Sequence, residues 1–160
     1  MTEICVRVAD ATVQHGDVTI FTIGLGSCVA IILYDAERKV GGLAHVLLPS
    51  ESLSRSRMNR AKFPSTAVPL LLEGMRALGA NRSRIVAKLA GGASMFTALL
   101  PSTGLQMGER NVMATRAALA KVNIPVVAED VGGGHGRSVY FCVSSGAVEV
   151  RSMVRGNVVL

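Results

Sequence analysis

The sequence predicts an α+β fold, and three observations carry that prediction. Short β-branched and aliphatic runs dominate the first half of the 160 residues. Two amphipathic helices stand against about seven strands, and strand and helix never alternate in the regular order of a doubly wound sheet. The size suits one domain spanning residues 1–160.

Val18-Thr-Ile-Phe-Thr-Ile23 is β-branched and aromatic, and Gly24-Leu-Gly26 breaks it. Cys28-Val-Ala-Ile-Ile-Leu-Tyr34 follows as a continuous apolar run, the pattern of a strand covered on both faces. A polar turn over residues 35–39 leads into a third strand, Val40 to Leu48, stopped by Pro49. Short connections between these runs favour antiparallel pairing of consecutive strands. The first helix is predicted from an N-cap at Ser65. Val68, Leu71, Leu72, Met75 and Leu78 share one face, Pro69 falls just inside the start, and Gly79 ends it. Arg84 to Ala90 reads as a buried strand, Gly91 to Phe96 as a second tight turn, and residues 97–108 as a loop. A second helix is expected over Glu109 to Val122, with Glu109 near the positive end of its dipole. Ile124 to Glu129 reads as a strand, Gly132 to Gly136 as a flexible connection, and Ser138–Ser144 with Val148–Val154 as a final hairpin.

Composition excludes several classes. Hydrophobic residues make up 49% and charged residues 18%, with mean hydropathy +0.42, so the chain is not disordered. No apolar run approaches the ~20 residues of a membrane span, and the acid-bearing N-terminus lacks a signal-peptide core. Three widely spaced cysteines without a CxxC imply reduced thiols and a cytoplasmic protein rather than a disulfide framework. The net charge of +6 concentrates at Arg55, Arg57, Arg60 and Lys62. No aromatics are interleaved there to stack on bases, so a solvated loop, or docking to an acidic protein surface, is favoured over nucleic acid. A metal site from Cys28, His45 and His135 matches no zinc spacing. The glycine turns match no phosphate-loop pattern. No metal or cofactor is expected.

The chemistry concentrates on Cys28, which ends the turn Thr22-Ile-Gly-Leu-Gly-Ser-Cys28, and on His45 in the next strand. A thiol beside a flexible loop with an imidazole one strand away is an arrangement for nucleophilic acyl transfer. Taken alone, His45 in an apolar strand would read as a core histidine satisfied by backbone. Gly24 and Gly26 allow positive φ, and with Ser27 they let backbone N–H groups converge into an oxyanion pocket. A free thiol near pKa about 8.5 is only slightly ionised at neutral pH. A nearby His45 is therefore expected to hold it about two pH units lower, roughly 2.7 kcal/mol of preferential stabilisation of the thiolate. The imidazole needs a partner on its other nitrogen. Thr22, through its hydroxyl or carbonyl, is the nearest candidate, with Ser27 as the alternative. Cys5 and Cys142 read as ordinary strand residues, and His15 and His135 as solvated loop histidines.

These residues resemble the CheD family of chemoreceptor glutamine deamidases. The resemblance runs through Thr22-Ile-Gly-Leu-Gly-Ser-Cys28, Gly42-Leu-Ala-His-Val-Leu-Leu-Pro49, Lys62-Phe-Pro-Ser-Thr-Ala-Val68, Ala87-Lys-Leu-Ala-Gly-Gly-Ala-Ser-Met-Phe96, Gly108-Glu-Arg-Asn111 and Ala128-Glu-Asp-Val-Gly-Gly133 followed by Arg137-Ser138. It implies a fold like that of the cytotoxic-necrotizing-factor cysteine deamidases, a mixed or antiparallel β-sandwich flanked by helices, with Cys28, His45 and Thr22 as the catalytic residues. It also implies deamidation of glutamines on the cytoplasmic helices of methyl-accepting chemotaxis receptors through a Cys thioester. The implied setting is the cytoplasm at chemoreceptor arrays, with a CheC-type phosphatase as a further partner; a monomer is the default expectation. The rival expectations are a non-catalytic adaptor on the same fold and a cysteine hydrolase of small amides or esters.

Overall fold

The computed structural model describes residues 1–94 and 106–160. Ten strands run in chain order as β1 (Thr2–Cys5), β2 (Ala11–His15), β3 (Val18–Leu25), β4 (Val29–Asp35), β5 (Val40–Val46), β6 (Val86–Gly91), β7 (Val126–Val131), β8 (Arg137–Cys142), β9 (Val148–Ser152) and β10 (Gly156–Val159). Helix α1 (Pro64–Ala77) lies between β5 and β6, and α2 (Met107–Lys121) between β6 and β7. The strands form two five-stranded sheets, ordered β1-β3-β8-β9-β10 and β2-β5-β4-β6-β7. The predicted helix-flanked sandwich is therefore what the chain forms.

β4 shows why the layers stack as they do. All seven of its residues are buried. Val29, Ile31 and Leu33 join the cluster that includes Val68, Leu71 and Met75 of α1 and Val112 and Leu119 of α2. Cys28, Ala30 and Ile32 face the other way, into a second cluster with Ile20, Leu25, Val139 and Phe141 of the first sheet. The period-two alternation of a strand thus divides one apolar run between two cores. Burial of a Val, Leu or Ile side chain contributes about 1.5–3 kcal/mol. Gly41 in β5 has no room for a side chain, since a Cβ there would sit 2.5 Å from the Phe141 ring, and on Gly42 a Cβ would press against Leu71 at 3.0 Å.

Several sequence expectations need correction. Among the described residues ten strands replace about seven, because β1, β2 and β10 are short edge strands with polar, exposed positions and little apolar signal. β4 and β5 pair antiparallel as expected, but β3 and β4 lie in different sheets, so the Gly24–Cys28 turn crosses between layers. β6 and β7 pair in parallel, with α2 supplying the crossover. Helix α1 starts at Pro64, with buried Phe63 at the N-cap position and no side-chain cap. Pro64 takes the first helical position because its fixed φ suits it and its missing N–H is not needed there. Pro69 consequently sits deeper in the helix than expected, whereas Gly79 takes the predicted positive-φ position after the helix, at +92°. Helix α2 begins two residues before Glu109. The predicted loop lies largely in residues 95–105, outside the described residues, as does the end of the second glycine turn.

Candidate active site

The crossing turn places three of the predicted residues at one end of the sandwich. In the β4–β5 register, Ala30 stands opposite His45. Cys28, two residues before Ala30, points to the same face, one diagonal step from the imidazole. Thr22 reaches the same inter-sheet space from β3, at an irregularity in β3–β8 pairing between Thr22 and Leu25. Thr22 and His45 are fully buried, whereas Cys28 keeps 7% exposure.

The hydrogen bonds around Thr22 fix the state of the imidazole. Thr22 Oγ1 donates to the Val6 carbonyl at 2.6 Å and lies 2.7 Å from His45 Nδ1. A hydroxyl has one proton to give. With that proton on Val6, the oxygen accepts from Nδ1–H, and the remaining lone pair of the ring is on Nε2. That atom is buried and has no partner among the described residues. Of the two partners expected for His45, the hydroxyl of Thr22 fills the role and Ser27 does not. The strand is held by backbone bonds from His45 N to Asp10 O at 3.0 Å and from Ala9 N to His45 O at 2.8 Å.

The turn itself is held by its carbonyls. Gly24 adopts φ +74°, conformational freedom that glycine supplies. The carbonyl of Gly26 accepts from Ala93 N at 2.9 Å and that of Cys28 from Gly92 N at 2.7 Å. Ser27 O accepts from Asn111 Nδ2 at 2.8 Å. Among the described residues the N–H groups of Gly26 and Ser27 meet no acceptor. Their availability fits the oxyanion role expected of this segment.

Sequence reasoning gave no role to two residues that matter here. Asn111, fully buried on α2, also donates to Leu47 O at 3.2 Å. One side chain therefore ties the residue before Cys28 to the strand end beyond His45. Arg137, 3% exposed, donates to Gly132 O at 2.7 Å and Gly91 O at 3.3 Å and pairs with Asp130 at 3.3 Å. It braces the Gly91–Ser94 segment that grips the turn. Both residues stand in the motifs quoted above, at Gly108-Glu-Arg-Asn111 and Arg137-Ser138. A buried polar side chain there is the signal that could have found them.

The expected acidic thiol is not what the site holds. Burial pushes the Cys28 thiol above its ordinary 9.0, with its own backbone N–H acting weakly the other way. Burial alone pushes His45 down to about 4. Among the described residues no charged neighbour offsets either effect, and both shifts favour a neutral thiol and a neutral imidazole. His135, expected to be solvated, is only 9% exposed, while His15 is exposed at the end of β2. A cavity of about 670 Å³ bounded by Leu72, Arg76 and Arg84 lies where Asp35 ends β4, away from Cys28. Among the described residues no cluster of three or more His, Cys, Asp or Glu is placed to hold a metal ion.

On this α+β sandwich Cys28 shares a face with His45, whose Nδ1 is anchored by Thr22 and whose Nε2 has no partner among the described residues; nucleophilic acyl transfer by cysteine uses a thiol and imidazole so arranged. The sequence model of one family, described as CheD chemotactic sensory transduction, matches residues 47–152. Similar relatives include a probable chemoreceptor glutamine deamidase CheD of Caldanaerobacter subterraneus subsp. tengcongensis, 44% identical over 94% of this chain and 93% of its own. Another, from Pyrococcus abyssi, is 46% identical over 98% and 96%. The chemoreceptor glutamine deamidase CheD of Halalkalibacterium halodurans is 42% identical over 94% of each chain. The chain belongs to the CheD family.

Proposed function

We propose that this protein is a chemoreceptor glutamine deamidase in which Cys28 is the nucleophile, His45 the acid and base, and Thr22 the residue that orients His45. The observation that carries this reading is the chain Val6 O, Thr22 Oγ1, His45 Nδ1, which leaves Nε2 as a free base on the face that bears Cys28. The names of the relatives supply the substrate class.

As the substrate carboxamide enters, Nε2 takes the proton from the thiol while sulfur attacks the amide carbon. The resulting oxyanion is held by the N–H groups of Gly26, Ser27 and Cys28. The imidazolium then gives its proton to the departing nitrogen, ammonia leaves, and a thioester remains on Cys28. Water, deprotonated by Nε2, attacks that thioester. The C–S bond breaks, glutamate is released, and the imidazolium returns its proton to the thiolate. Because the pair is neutral at rest, charge forms only when the amide is present to use it, which suits a buried site. Each turnover adds one negative charge to the receptor and creates a carboxylate open to methylation.

The substrate places the protein in the cytoplasm at receptor arrays. Among the described residues no helix is long and apolar enough to cross a membrane. A monomer, folded as one domain over residues 1–160, acts on the receptor helices, and a CheC-type phosphatase competes for the same face. Ammonia release and the receptor mass change, measured on a purified receptor cytoplasmic fragment, test the assignment. Wild type should produce both, and Cys28→Ala neither. Binding without a mass change by wild type would leave an adaptor, and turnover of free glutamine would point to a small-amide hydrolase.

A further inference from the structure

Beside the catalytic turn runs a cavity of about 670 Å³ whose floor is largely bare backbone. Gly24, Gly134 and Gly136 line it. A Cβ built on Gly24 would meet nothing within 4 Å, and on Gly134 and Gly136 nothing nearer than 3.9 and 3.8 Å. Side-chain-free walls let another backbone approach closely. The far wall is the β9–β10 turn. Met153 and Val154 there are exposed apolar residues at 102% and 76%, and Ile23, beside Gly24, is exposed at 56%.

The charge of this trough has one sign. Arg137 and Arg151 line it, and no Asp or Glu does. Arg155 follows Val154, and among the described residues it has no carboxylate partner. His135 also lines the trough, with a buried Nε2 that has no partner among the described residues. A buried polar atom left open beside a cavity is satisfied when a polar group enters.

We propose that this trough, walled by Met153 and Val154 with Arg155 next to them in the same turn, is the docking surface for an acidic helical segment carrying the target glutamine. The inference rests on the deamidase reading and extends it, since the trough begins at Gly24 in the turn that ends at Cys28. Exposed apolar knuckles on two rims fit the apolar stripe of an amphipathic helix. Arg137 and Arg151 are paired with Asp130 and Glu149, so the charge left over is that of Arg155, which fits acidic residues on the helix flank. Arg155 then steers association, while Met153 and Val154 bury apolar surface on docking.

The test uses the full chain with three variants on the exposed turn, Met153→Asp with Val154→Asp, Arg155→Glu, and the triple. Ammonia release is followed on a receptor cytoplasmic fragment and on the short amide benzyloxycarbonyl-glutaminylglycine. KM for the fragment should rise roughly tenfold in the double variant and about fivefold in Arg155→Glu, with kcat within about twofold. The Arg155→Glu effect should fade as salt screens it, and turnover of the short amide should not change. Unchanged KM in the triple variant, with wild type active, overturns the docking surface alone. If wild type releases no ammonia from either substrate, the deamidase reading fails. Fragment binding by fluorescence anisotropy then still decides the surface, which stands if the triple variant weakens binding and falls if it does not. A wild-type dimer that Met153→Asp dissolves would show that a second copy occupies the trough, and would overturn the proposal.

Discussion

Cys28 and Cys142 are both thiols at strand ends, yet their surroundings push them in opposite directions. Cys142, half-buried at the end of β8, lies 3.3 Å from Ser144 Oγ, and hydrogen bonds from Ser144 and Ser145 hold it below the ordinary thiol value. Burial pushes Cys28 above that value. If acidity alone chose the nucleophile, Cys142 would be preferred. It is not paired with an imidazole, whereas Cys28 shares a face with a histidine whose base nitrogen is free. The lesson is that a buried site can keep its thiol neutral until substrate arrives, provided a base of fixed tautomer stands ready.

The largest expected effect separates the two thiols by activity. Cys28→Ala should abolish receptor deamidation, and Cys142→Ala should leave kcat within about twofold, since it touches no part of the proposed relay. His45→Gln should come next, costing on the order of 10²–10⁴ in kcat while the protein stays folded, the range for a general acid–base group.

Much of this comparison was legible in the sequence, and the illegible part has a physical origin. Cys28, His45 and Thr22 could be read because a glycine turn and two apolar strands bracket them. That Thr22 uses its hydroxyl, and gives its proton to Val6, could not, because Val6 belongs to a connection with no pattern of its own. The acidity of Cys28 was misjudged for a related reason. Proximity to histidine suggested an ion pair, but the sandwich buries both groups with no charge to stabilise one. Asn111 and Arg137 act through backbone carbonyls far away in sequence, contacts that spacing cannot reveal. The α+β class was readable because runs such as the continuous apolar β4 are plain, and the sandwich came through the family resemblance, whereas β1, β2 and β10 are edge strands and carry little apolar signal.

Smaller effects sharpen the comparison further. Thr22→Val should lower kcat by roughly tenfold to a hundredfold and leave KM nearly unchanged, since it frees the ring to take the wrong tautomer. Thr22→Ser should restore most of the rate, which a purely packing role would not predict. Asn111→Ala removes two hydrogen bonds from the clamp between Ser27 and Leu47. It should cost about 1–3 kcal/mol of stability by chemical denaturation, and lower kcat as the two segments drift apart.

His45 also gives a pH signature. Its folded pKa of about 4 lies below the 6.5 of the free side chain, so the unfolded chain binds a proton that the folded one refuses. Its contribution to stability is present above pH 6.5 and is lost as pH falls from there to about 4. In His45→Gln the loss of stability across that window should be smaller than in wild type. The kcat/KM of wild type should likewise hold until pH approaches 4, because Nε2 remains an unprotonated base.

The central claim is that the proposed nucleophile rests as a neutral thiol and that the more acidic cysteine is a different one. Thiolate absorbance, titrated in wild type, Cys28→Ala and Cys142→Ala, tests it directly. The step missing from Cys28→Ala should lie above pH 9.0, and the step missing from Cys142→Ala below it. A Cys28 step that falls below the Cys142 step would contradict the account, because the site would then hold a preformed thiolate.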